Sequence, residues 1–460
     1  MNPSSPKKAK LAPANYCIRF RFLILAAAML HIAVAGAVFT VGKLQVMPAQ
    51  FAPNGLAAFA SDGYVYQTEA VALCDVLKSQ GLAAWAVWPT QLHVRLYSLP
   101  LFAFYRWVGF NILTIEPLNL IYYLAILVLI FKLGETIFDY RAGLLAATVV
   151  GLWPSFLLHT TQLLRDPLLI AAFLFLMLSL IQCLKRDYAW QRGLFWGLPS
   201  ALAIVIIRIV RLPMWDLIYA IIGLTVFFLV IRSVHERRVP LGNVVFAAII
   251  ITAMWLTPYF QPVFRSQTYV NIPRTIVPEE VQKLPLAEQI AVRRRAFELQ
   301  LDESGNAAPS QAGSQFDTKV RLNSLSEVIR HLPRAAVVGL FAPFPNMWLS
   351  FGKQVGFGGR LLSGFETLLT YVIECFALVG LWRRKDLLIS WVLFLAATGG
   401  TVALGLIVNN VGALYRLRYP FWILIVILGA GGALHVIDKG SRWRKHGRAR
   451  QLASVEETSG

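Results

Sequence analysis

Two kinds of side chain stand out because an apolar sequence disfavours them where they occur. The first is a carboxylate, Asp62, in the stretch Ala60-Ser61-Asp62-Gly63-Tyr64-Val65-Tyr66, directly after the first long apolar run. The second is a set of arginines at the ends of later apolar runs: Arg165, Arg208, Arg211, Arg416 and Arg418. A placed carboxylate can take a proton from a hydroxyl as a general base. Guanidinium forks match phosphate oxygens with paired hydrogen bonds. Together they are the equipment for transfer chemistry on a phosphate-bearing substrate.

Each residue also has a plainer reading. Asp62, between Ser61 and Gly63, suits a helix N-cap. A lone arginine at a span end can reach for lipid phosphates with no specific ligand. It is the set that favours a phosphate site, since charges near hydrocarbon usually face a cavity or a partner. Tyr66 follows Asp62 by one helical turn, and Glu69 comes one turn later as a second candidate catalytic acid. His93 and Arg95 in the same loop, and His159 before Arg165, join Tyr66 as candidates for holding an acceptor. Glu374, deep in a span, is a functional candidate by position, whereas Glu366 and Asp216 sit nearer span ends.

Absent motifs narrow the chemistry. The chain has no P-loop, no GxGxxG after a strand, no HExxH and no GxSxG, which argues against a nucleotide-fuelled pump. Cys17, Cys74, Cys183 and Cys375 are scattered without a CxxC, so neither a zinc site nor a disulfide framework is expected. No metal ligand set is clear, and a divalent ion beside Asp62 stays open as a cofactor.

The elements that must position these groups are membrane helices. The 460 residues are 57% hydrophobic and 15% charged, with a mean hydropathy of +0.60. Soluble domains carry about 25% charged residues, so the expected class is an all-α polytopic membrane protein. The net charge of +19 points to lipid headgroups and membrane orientation and not to nucleic acid, because the basic residues fall between and after apolar runs. Ten spans are expected near 22–42, 116–137, 142–161, 166–184, 193–210, 214–232, 241–259, 361–382, 387–408 and 419–437. The first is read as a retained span, although Ala35-Gly36-Ala37 imitates a cleavage site.

The expected organisation is a cytoplasmic N-terminus (1–21), a transmembrane module (22–260) with a first outer loop (43–114), an extracytoplasmic loop domain (261–335), a second transmembrane module (336–437) and a basic cytoplasmic tail (438–460). Leu96 to Val108 should lie along the interface. Pro278-Glu279-Glu280 should open a helix. Ser304 to Gln315 reads as a flexible loop. Ser324-Leu325-Ser326-Glu327 fits a capping box for a helix ending near Pro333. Lysines and arginines in short loops put both termini inside, provided neither 97–113 nor 335–350 crosses.

The pattern Asp62…Tyr66…Ala70…Leu73…Leu77…Gly81, then Leu96-Tyr97…Ala103…Gly109, resembles the first outer loop of GT-C-type membrane glycosyltransferases, the protein mannosyltransferase-like and aminoarabinose transferase-like enzymes. Leu118-Asn119, Arg141-Ala142-Gly143, Trp153-Pro154-Ser155…Thr161 and Tyr415-Arg416-Leu417-Arg418-Tyr419-Pro420 are similar to later parts of that group. The resemblance implies a polyprenyl-phosphate-linked sugar as donor, and a glycan, lipid or protein as acceptor. Transfer would be inverting and on the outer face of a bacterial inner membrane, with Asp62 as the loop acid. Two features depart from the group: Gly63 stands where many relatives carry a second acid, and His93-Val94-Arg95-Leu96-Tyr97 stands where many show Pro-Pro-Leu-Tyr. A polysaccharide polymerase or ligase, or a transporter of lipid-linked glycans, is the competing expectation.

Overall fold

The computed structural model describes residues 13–259, 281, 283–301, 307–309, 315–352 and 354–458. Its helices are α1 (Pro13–Lys43), α2 (Asp62–Val87), α3 (Leu92–Val108), α4 (Ile112–Ile137), α5 (Tyr140–Gly151), α6 (Pro154–Thr160), α7 (Asp166–Lys185) and α8 (Trp190–Val210). They continue as α9 (Trp215–Glu236), α10 (Leu241–Leu256), α11 (Leu286–Glu298), α12 (Leu325–Phe341), α13 (Gly356–Arg383), α14 (Leu388–Ile407), α15 (Val411–Leu417) and α16 (Tyr419–Thr458). A short antiparallel pair, β1 (Leu299–Leu301) and β2 (Ala307–Pro309), follows α11. The expected helix start at Pro278 and most of the Ser304–Gln315 loop lie outside the described residues.

The chain is an all-α, multi-pass membrane protein. Ten helices among the described residues are long and apolar enough to cross a bilayer, or eleven if one bent pair counts as a span. Neither 97–113 nor 335–350 is among them. Membrane helices gain little from burying apolar surface against one another, so close packing through small residues carries the association. At the α13–α16 crossing, a Cβ on Gly380 would strike the Leu428 carbonyl and one on Gly432 the Phe376 carbonyl.

Three details differ from the sequence reading. The span expected at 142–161 is the bent pair α5 and α6, turned by 68°, because Pro154 starts a new helix at its N1 position and disfavours helical geometry just before it. It still crosses the bundle, from the Arg141–Asp438 ion pair at one end to Gln162, which accepts from the Ala57 N–H, at the other. The capping box at Ser324 and Glu327 is present, but its helix runs through Pro333 to Phe341, where Val338 and Gly339 are buried. Asp62–Val87, read as loop, is a helix of 26 residues and the least apolar of the ten.

The contacts of α2 tie it to the Asp62 end of the bundle. The helix breaks at Gly81, where φ is +84°, a conformation glycine adopts without cost. The chain then doubles back, so that α3 runs beside α2 in the same direction: Tyr66 meets His93, and Lys78 lies over Tyr105. Ile112, seven residues after Tyr105, donates its N–H to the Asn54 carbonyl, and Asn54 also bonds Gln67 near the start of α2. A last helical turn and a short link reach less than about 20 Å, against about 30 Å of hydrocarbon. Exposed Phe102, Phe104 and Trp107 on α3 suit an interfacial position.

Candidate functional site

Asp62 is the first residue of α2, and Gly63 behind it fits against the Leu163 carbonyl. Its Oδ2 accepts a hydrogen bond from Arg416 Nη2 at 2.8 Å. Arg416 lies on α15, a helix of seven residues started by Asn410, whose side chain accepts from the Ala413 N–H. The Nε of the same guanidinium lies 3.2 Å from Asp166 Oδ2, and Asp166 Oδ1 accepts from Arg211 Nη1 at 3.1 Å. Asp62, Arg416, Asp166 and Arg211 therefore form one chain of ion pairs built from four separate parts of the sequence.

Arg165, the residue before α7, acts electrostatically on Asp62, Arg211 and His93. Arg165 thus stands as a third guanidinium beside the two arginines that hold Asp62 and Asp166. Burial disfavours charge on Arg416, but Asp166 and Asp62 outweigh it and raise its proton affinity above the ordinary arginine value. Burial, with Arg165 beside it, brings Arg211 down to about 10, so it remains a cation at neutral pH. Fully buried His93 lies edge-on to Tyr66 at 4.4 Å. Burial first, and Arg165 second, depress its proton affinity well below the usual imidazole range, against the pull of Asp62. His159 donates from Nδ1 to the Ser155 carbonyl at 2.6 Å and feels both Arg416 and Asp166.

Of the residues chosen from sequence, Asp62, Tyr66, His93, His159, Arg165, Arg211 and Arg416 are gathered at this end of the bundle. The others have different tasks. Arg418 donates to the Ala342 carbonyl and stacks over Tyr415 at 4.6 Å, away from the ion-pair chain. Arg208 stacks over Trp215 at 4.6 Å. Glu69 accepts from Thr90, and Arg95 donates to the Trp88 carbonyl and faces Trp85, contacts that hold the turn between α2 and α3. The residue missed is Asp166, 5% exposed and shared by two arginines. Its sequence signal was its place beside Arg165 at a helix start, where an acid is ordinary.

Glu366 belongs to a separate, closed network. Its carboxylate accepts from the Ser155 N–H at 2.8 Å, the Ser155 hydroxyl at 2.5 Å and the Tyr415 hydroxyl, while Tyr419 donates to Ser155 Oγ at 2.8 Å. Glu374 has one buried oxygen without a hydrogen-bond partner among the described residues, and Arg418 is its electrostatic neighbour. Among the described residues no three His, Cys, Asp or Glu side chains group as a metal site. The two acids of the cluster are already bound by arginine, so these residues do not fit a divalent ion. No family model matches the chain, and no curated protein does.

Proposed function

We propose that this protein is a membrane glycosyltransferase that moves a sugar from a polyprenyl-phosphate donor to an acceptor hydroxyl. The observation that carries the reading is the chain Asp62–Arg416–Asp166–Arg211 with Arg165 beside it. A base candidate and three guanidinium groups meet at one end of an apolar helix bundle, where a lipid-borne phosphate would lie. The proposed setting is the bacterial inner membrane with both termini cytoplasmic. Lys185, Arg186, Arg232, Arg383, Arg384 and Lys385, at the ends of spans away from Asp62, support that orientation.

In this mechanism the donor phosphate sits against Arg165 and Arg211. The acceptor oxygen attacks the anomeric carbon as the bond to phosphate breaks, which inverts the configuration. The acceptor proton passes to Asp62, and the negative charge that builds on the leaving phosphate is held by the arginines, where low dielectric strengthens the attraction. Arg416 donates to Asp62 Oδ2. A donor phosphate competing for Arg416 loosens that hold and makes Asp62 a better base at the moment the substrate arrives.

The test is transfer in proteoliposomes from a panel of labelled polyprenyl-phosphate hexoses and pentoses, read as label leaving the polyprenyl phosphate for a glycan, lipid or protein product. Wild-type protein should transfer at least one sugar. Movement of donor between leaflets without bond formation would replace this reading with transport.

A further inference from the structure

Helix α11 reaches two segments next to the site arginines: the first turn of α9, just after Arg211, and the last turn of α14, just before α15. Neighbouring residues of this one helix reach both. Arg293 Nη1 donates to Asp216 Oδ2 at 2.8 Å, five residues after Arg211. Arg294 Nη1 donates to the Leu406 carbonyl at 2.9 Å, and its Nη2 to the Asp317 carbonyl at 2.9 Å. Leu406 leads into the 408–410 turn that starts α15 and so sets Arg416. Arg294 is 2% exposed, the largest side chain among those almost fully buried.

The grip on that turn is repeated. The Phe316 N–H donates to the Asn409 carbonyl at 2.9 Å, and Asn409 Nδ2 donates to Glu298, the last residue of α11, at 2.9 Å. Beyond the far end of α15, Arg418 is held by the Ala342 carbonyl at the end of α12. A seven-residue helix has little rigidity of its own, so its position is decided by what clamps its ends. The clamps come from the segment that contains α11 and α12. The arginines at stake, Arg211 and Arg416, meet on a single carboxylate, Asp166, and a shift of α15 or of the start of α9 changes the gap between them.

We propose that α11 is a strap that fixes the spacing of Arg211 and Arg416, with Arg294 as its positioning residue. This rests on reading the arginine cluster as the donor-phosphate site. Arg294 is itself buried away from the ligand. It acts through the Leu406 carbonyl on α15, and Arg293 acts through Asp216 on the Arg211 loop. The segment that contains α11 and α12 thereby tunes the affinity of the site for phosphate.

The probe is farnesyl phosphate, titrated onto purified detergent-solubilised protein. Arg294→Gln should bind it about tenfold more weakly than wild type, and Arg294→Lys should recover part of the loss. In the Arg416→Gln background the Arg294→Gln change should cost nothing further, because the strap acts only through the arginine it places. Wild-type affinity in Arg294→Gln, or full multiplication of the two losses, overturns the proposal. If Arg294→Gln does not fold, the exposed arm decides it. Asp216→Arg should weaken binding by about threefold, and the double change Asp216→Arg with Arg293→Asp should restore it; no weakening, or no restoration, rejects the strap. Failure of the wild-type protein to bind farnesyl phosphate rejects the phosphate reading and the strap with it, whereas wild-type binding that these changes leave untouched rejects the strap alone.

Discussion

Two charged networks lie near each other in this bundle, and they are built in opposite ways. Around Glu366, one carboxylate is met by a backbone N–H and two hydroxyls, and the whole group is closed off from solvent. Around Asp166, Arg211 and Arg416 hold two carboxylates with Arg165 beside them, and one of those acids, Asp62, keeps a third of its side chain exposed. A closed polar network with every member satisfied fastens helices together. A network that keeps one of its acids partly exposed beside clustered guanidinium groups is, under the proposed function, the one suited to a ligand. Under the proposed function the same residue types serve assembly in one place and chemistry in the other, and the difference lies in exposure.

Breaking each network should have different consequences. Arg416→Gln removes the group that joins both acids, and transfer should fall by about 10²–10³-fold, as loss of a charge-stabilising donor does; a proteoliposome transfer assay measures it. Glu366→Ala should cost about 3 kcal/mol of stability, because it strands the Ser155 N–H and the Tyr415 hydroxyl in the interior. Resistance to unfolding in mixed micelles reports that loss, while farnesyl phosphate affinity per folded molecule should stay at the wild-type value. The contrast between the networks fails if Glu366→Ala weakens the ligand and spares the fold.

Arg211→Gln should weaken farnesyl phosphate about tenfold, or about 1.4 kcal/mol, in the same titration. The smallest effect concerns pH. His93 is buried with a depressed proton affinity, so the unfolded chain takes up a proton near pH 6.5 that the folded chain refuses. The stability this residue contributes is present above pH 6.5 and is lost as the pH falls below it, by at most about 1.4 kcal/mol per pH unit. His93→Gln should flatten that acid slope in a melting series from pH 7 to pH 5.

The helical class was legible because apolar runs of bilayer length have few other uses in a chain. Local punctuation was legible too: the capping box at Ser324 and Glu327 is met where the spacing places it. What misled was partial evidence at single residues. Pro333 suggests a stop, but burial of Val338 and Gly339 carries α12 past it. Pro154 sits inside an apolar run that reads as one span, yet it bends the run by 68°. The acids and arginines of the site could be picked out by type, but their grouping could not. Arg416 and Asp62 are 354 positions apart, and no local pattern distinguishes Arg416, which reaches Asp62, from Arg418, which turns to the Ala342 carbonyl. Asp166 was overlooked because an acid at a helix start needs no special cause.

The most direct test of the central claim is single-turnover transfer by Asp62→Asn beside wild type, with farnesyl phosphate affinity measured on both. Wild type should complete transfer, and Asp62→Asn should form product about 10²–10⁴-fold more slowly while still binding the phosphate probe. Equal rates from the two proteins would contradict the account, because the acid at the head of α2 would then have no part in the chemistry.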